Sequence, residues 1–204
     1  MYYCYMLRLT LIILSFLCFF TPSIAQGVGF QFYQGINKPM ISFKDKTNSL
    51  SYKSSLNNDT KVGMWFGNLN HLSFSTLICA STVDAIYTSQ DIISSFTHSS
   101  LLFDIPARYS FSKSPISSIA FGPSLGILMA SSQTINGSPV RSEKIFTKIN
   151  YTMLAEISFS GYSKDKLNLH PYILYRMMLN SADSDGDKLH INGLSFGLRL
   201  ELSK

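Results

Sequence analysis

Apolar and polar residues alternate along most of this chain with the period of two that belongs to a β-strand. In "LLFDIPARYSF", Leu101, Phe103, Ile105, Ala107, Tyr109 and Phe111 share one face. Ser100, Leu102, Asp104, Pro106, Arg108 and Ser110 share the other. Pro106 and the absence of helical spacing exclude a helix here. The same alternation sets Ile119, Phe121, Pro123, Leu125, Ile127 and Met129 against Ala120, Gly122, Ser124 and Gly126. It recurs from Ile149 to Ser160, from Leu167 to Asn180 and from Gly193 to Leu202. Val28 to Ile36, Lys61 to Leu69 and Leu72 to Ser81 complete a set of eight predicted strands with no convincing helix.

The contrast between the two faces says where such strands belong. One face is bulky and apolar, while the other holds Gly, Ser, Ala, Asn and charges. A soluble barrel would wear its Lys and Glu outside, yet only 14% of this chain is charged. The connections also alternate in predicted length. Asn37 to Thr60, Thr82 to Thr97 and Ala130 to Lys148 read as long loops; Asn70-His71, Ser112 to Ser118 and Gly161 to Lys166 read as short turns, with Ser181 to His190 between. Short turns at one end and long loops at the other are the layout of bacterial outer-membrane barrels. The predicted fold is therefore an all-β, eight-stranded, antiparallel up-and-down transmembrane β-barrel.

The first residues support export. Arg8 precedes an apolar run from Leu9 to Phe20, Pro22 ends it, and Ser23-Ile24-Ala25 offers the small residues of a cleavage site. The run is shorter than the roughly 20 residues that a spanning helix needs. Residues 1–25 are expected to be a cleaved signal peptide, and 26–204 the outer-membrane barrel domain. Cys4 and Cys18 would leave with the signal, so Cys79 could form no internal disulfide. Loss of Arg8 would lower the formal charge from +5 to +4, too mild to imply nucleic acid.

With the bulky faces towards lipid, Asp104 and Arg108 point into the lumen. There they can pair with each other or with Glu156, Arg176, Arg199 and Glu201. An eight-stranded barrel is just wide enough for side chains to fill, and shut-in charges must be paired. The expectation is a sealed polar plug. On the descending fourth strand Tyr109 and Phe111 should reach the periplasmic interface and meet Phe121 there. Pro123 and Pro171 fall within strands on the lipid side, which predicts local bulges.

"LLFDIPARYSF" followed by "AFGPSLGILM" resembles the fourth and fifth strands of the PorT-like outer-membrane β-barrel proteins. Ile105, Pro106, Gly122, Pro123 and Gly126 match, and "LHINGLSFGLRLEL" is similar to the family's closing strand. The chain departs from such barrels by ending Leu202-Ser203-Lys204 rather than on an aromatic residue. The resemblance implies a bacterial outer-membrane location more than an activity: a non-enzymatic barrel working through its surface loops or as an accessory of an envelope or secretion assembly. Expected partners are outer-membrane lipid, the barrel-assembly machinery during insertion and an envelope protein, with no nucleic acid and no cofactor.

Other readings compete. A soluble periplasmic barrel binding a small apolar ligand needs the bulky faces inward. A lipid-modifying enzyme could use His71 and Ser73, placed on one face of a strand, but catalysis would also need an orienting acid and an oxyanion donor, and the pair sits beside the tight periplasmic turn, far from outer-leaflet lipid. His98 is no better supported, and His170 reads as a hydrogen-bonded lumen residue. Asp183, Asp185 and Asp187 offer hard oxygens for Ca²⁺, although Gly186 comes too early for an EF-hand and no closing glutamate follows. No catalytic, cofactor or metal residue is assigned.

Overall fold

The computed structural model describes residues 27–44, 49–67, 71–88, 93–112, 114–140, 147–180 and 188–203. The expected signal peptide and the three aspartates of the Ser181–Lys188 segment lie outside them.

Twelve strand segments follow one another: β1 (Gly27–Lys44), β2 (Ser49–Ser54), β3 (Asn57–Gly67), β4 (Leu72–Thr88), β5 (Ile93–Asp104), β6 (Ala107–Ser110), β7 (Ile116–Ile135), β8 (Ser138–Val140), β9 (Ile149–Phe159), β10 (Tyr162–Lys164), β11 (Leu167–Met178) and β12 (Lys188–Ser203). Pairing is antiparallel throughout, running β1–β3–β4–β5–β7–β9–β11–β12. β12 then returns to β1 in register from Gly29↔Ser203 to Lys44↔Lys188. Eight walls thus close on themselves; of the shorter segments, β2 and β6 pair on both sides, while β8 pairs only with β7 and β10 only with β11.

The alternation sorts the side chains as a membrane demands. Phe30, Phe74, Phe121, Ile157 and Leu198 stand exposed on the outside, while Asp104, Arg108, Glu156 and Arg199 are buried inside. In water this would be inside out, because bulky apolar surface gains only by leaving solvent. It is the polarity of a barrel built for lipid. At the end carrying the short turns, Tyr109 and Phe111 stack edge to face with centroids 5.2 Å apart, and Ala107↔Phe121 sets Phe121 on the adjoining wall.

The expected long loops are corrected at the far end. There β1 runs on to Lys44, β4 to Thr88 and β7 to Ile135, where Asn136 and Gly137, both at positive φ, turn the chain into β8. β4, with 17 residues, reaches roughly 40 Å along the barrel axis at ~3.3 Å per residue and ~40° tilt, against an apolar band about 25 Å tall. Above the band the contrast between the faces in part reverses, although Ile86, Ile93 and Ile135 still stand exposed outside. Val83, Ala85 and Phe96 point inward, and Thr82, Asp84, Ser95, Thr97 and Ser99 point outward. Those outward groups pair across strands, Thr97 Oγ1 donating to Asp84 Oδ1 at 2.7 Å and Ser95 Oγ lying 2.7 Å from Thr134 Oγ1. These segments read as loops because the bulky-out rhythm that marks the band stops there, while the backbone ladder continues.

The two awkward prolines resolve differently. At Pro171 the β11 ladder passes from Tyr162↔Leu169 to Tyr172↔Ser158, three steps against four, so a bulge does lie opposite it. At Pro123 no register shift occurs, contrary to expectation. Pro123 sits instead across from the break between β5 and β6, where Ile105 N–H donates to the Pro123 carbonyl at 3.0 Å and Ser75 N–H to the Pro106 carbonyl at 2.9 Å. Each proline forfeits one ladder bond at the same interruption, which costs less than two separate ones.

Candidate functional site

The lumen is filled in layers, and its charges form two groups. Arg108 on β6, Glu156 on β9, and Arg199 and Glu201 on β12 all face inward. Arg108 Nη1 lies 2.9 Å from Glu201 Oε1, and its Nη2 lies 3.2 Å from Glu156 Oε1. Arg199 Nη1 meets Glu156 Oε1 at 2.5 Å, and its Nε meets Glu201 Oε1 at 3.0 Å. Each glutamate therefore touches both arginines, and the four close a ring across the barrel. Hydroxyls fill remaining valences: Ser158 Oγ donates to Glu156 at 2.8 Å, and Arg108 Nη2 donates to the Tyr33 hydroxyl at 2.5 Å.

The second group lies further from the turns. Asp104 accepts from Arg176 Nη2 at 2.5 Å and lies 3.8 Å from Lys61 Nζ, which is 3.5 Å from Asp59. Asp104 and Arg108, four residues apart around Pro106, thus join different groups and do not pair with each other. Asp59 and Lys61 are members that the sequence reading missed: Asp59 fell in the segment Asn37 to Thr60 read as a loop, and Lys61 opened the predicted strand Lys61 to Leu69 without being assigned to the lumen. The available signal was phase: Asp59 and Lys61 continue the inward rhythm of Gly63, Trp65 and Gly67. Together the two groups hold four acidic and four basic side chains, so the lumen is charge-balanced. Tyr33 and Tyr172, edge to face at 5.1 Å, pack with Leu77, Leu154 and Leu174 among them.

Each end of the stack carries a bulky layer. At the turn end Trp65 lies inside against Gly27, Gly29 and Gly67; a Cβ on Gly29 would come within 2.5 Å of the indole Nε1. At the far end the filling is apolar, with Ile41, Val83, Ala85, Phe96, Met178, Leu189 and Ile191 clustered and Tyr52 and Leu128 against them. Burial pushes the Tyr52 phenol above its ordinary range. The expected wholly polar plug is thereby corrected: its outer layer is an apolar cap, made by segments that read as loops. Between cap and charges lies a cavity of about 40 Å³, lined by Asn150, Thr152, His98 and Arg176. Its size and polar lining suit a bound water.

Four of the motif residues, Ile105, Pro106, Gly122 and Pro123, meet in one place. A Cβ on Gly122 would fall 2.4 Å from the Ile105 carbonyl oxygen and 2.6 Å from Pro106 Cα, so only glycine lets the Ile-Pro break lie against the Gly-Pro strand. Gly126 gives its space to Leu102, whose Cδ2 would lie 2.9 Å from an added Cβ. His170 Nδ1 lies 3.2 Å from the Phe159 carbonyl oxygen. His71 and Ser73 do not share a face. His71 takes a left-handed turn conformation (φ 70°) that sets its ring 6.0 Å from outward-facing Tyr109, while Ser73 pairs with inward-facing Arg108. Among the described residues no group of three or more acidic, His or Cys side chains could hold a metal ion.

No family model matches the chain, and no curated sequence does. Solved barrels resemble it in shape. Neisserial surface protein A is 14% identical, with 83% of this chain and 96% of that one covered and a TM-score of 0.45. Ail, the attachment invasion locus protein of Yersinia pestis, is 9% identical, with 88% and 99% covered and a TM-score of 0.45. OprG, an outer-membrane protein of Pseudomonas aeruginosa, is 11% identical, with 88% and 97% covered and a TM-score of 0.46.

Proposed function

We propose that this protein is a small bacterial outer-membrane β-barrel, non-enzymatic and closed to solute, which works through the strand ends that stand beyond the lipid. One observation carries the reading: the outside is apolar in a band about one membrane thick and hydroxyl-rich above it, while the inside is a neutral ionic stack under an apolar cap. A lumen filled in this way offers no continuous path. The parts left to meet other molecules are the far-end hairpins of β1–β2, β4–β5 and β7–β8, which would face outside the cell. An envelope or secretion assembly is the proposed setting for those contacts, with residues 1–25 directing export and the barrel-assembly machinery inserting the chain. The finer kinship proposed is with PorT-like barrels, supported by the meeting of Ile105-Pro106 with Gly122-Pro123.

The test is an epitope inserted between Asn136 and Gly137, and a second at Asp165 in the opposite turn. Antibody should label intact cells carrying the first and label the second only after the outer membrane is permeabilised. The reverse pattern, or labelling of neither in membranes, would overturn the proposed orientation.

A further inference from the structure

We infer that the outward wall formed by β12, β1 and β3 is an interface at which a second copy of this chain docks within the membrane. The inference rests on the proposed membrane barrel.

Gln34 is the observation that singles out this wall. It points outward between Phe32 and Ile36, which are 40% and 47% exposed, and pairs in register with Leu198 on β12. Leu198 is central to the outward run from Leu194 to Leu202, so Gln34 lies within the apolar band on the β12 side, while its β3 partner Thr60 and outward Asn58 mark the upper edge of that band. Its Oε1 accepts from Thr60 Oγ1 at 3.0 Å across β3. The amide NH₂ still faces lipid, where an unmet donor is costly. Immediately towards the turn end lies an outward groove of about 370 Å³ lined by Phe30, Phe32, Val62, Met64, Leu200 and Leu202.

A second copy is the occupant that this chemistry fits. A primary amide carries two donors and an acceptor with two lone pairs. Two Gln34 amides facing each other across a two-fold axis can form a closed pair, each Nε2 donating to the other's Oε1 while Thr60 keeps its own bond. A two-fold interface must be self-complementary in this way, and polar groups in lipid are known to hold spanning segments together. The groove beside the amide then receives bulky side chains from the same wall of the partner.

The experiment compares Gln34→Cys with Ala155→Cys, which faces outward on β9 of the opposite wall. Both variants are oxidised with copper phenanthroline in isolated outer membranes; Cys79, 1% exposed inside the lumen, is a silent background. Gln34→Cys should yield disulfide dimer several-fold above Ala155→Cys, and Gln34→Leu should lower the dimer share of the unmodified protein in mild detergent by sedimentation. Equal dimer yields from the two cysteines, or none from either, would overturn the interface while leaving the membrane reading intact. A protein absent from the outer-membrane fraction would overturn both.

Discussion

Glu156 is the residue on which the lower charge ring turns. It receives Arg108, Arg199 and Ser158 while 2% exposed. Replacing it with glutamine keeps the shape but leaves two buried guanidiniums with one carboxylate. Breaking a buried ionic group in this way costs about 3 to 5 kcal/mol. The prediction is that Glu156→Gln lowers the unfolding free energy in lipid vesicles by that amount, followed in urea by the fluorescence of Trp65, the chain's single tryptophan. Asp165→Asn, in an exposed turn, should change it by less than about 0.5 kcal/mol. Equal effects would mean that the ring does not hold the barrel. Six members of the two groups were legible from alternation alone, because a charge on the minor face of a bulky strand has nowhere else to go. Which charge meets which was not legible, since partners come from walls that the order along the chain does not bring together.

Strands carry two messages here, one about lipid and one about pairing, and they end at different places. The lipid message is the bulky-out rhythm, and it stops where the band stops. Pairing needs only backbone groups, so β1, β4, β5 and β7 continue past it with apolar residues inward, as in a soluble barrel. Thr82 to Thr97 therefore reads as loop although it is mostly ladder; Val83, Ala85 and Phe96 kept the period of two but with its faces exchanged. The eight-stranded membrane barrel stands; above the band some apolar side chains turn inward, as they would in a soluble barrel. At the Ile-Pro and Gly-Pro break the strand depends on close approach rather than on pattern. Gly122→Val would drive side-chain atoms into the Ile105 carbonyl and Pro106, and should abolish most of the compact barrel that resists unfolding in detergent on an unboiled gel. Pro123→Ala should keep it, because the N–H it restores faces an existing break. A Gly122→Val barrel as abundant as wild type would contradict the close packing seen there.

On the scale of the whole molecule, closure and polarity define the protein. The ladder from β12 to β1 closes the ring of eight walls, as lipid requires because no water there can satisfy an open strand. An ionic stack and an apolar layer fill the inside in series. The outside changes from apolar to hydroxylated along one set of strands, which fixes how deeply the barrel sits. The most direct test is separation of inner and outer membranes from expressing cells, with the outer fraction run on a gel with and without boiling. The protein should be confined to the outer membrane and migrate faster unboiled, as a folded barrel. A soluble protein with no heat-dependent shift would contradict this, for it would mean that the bulky faces described as outward are turned in.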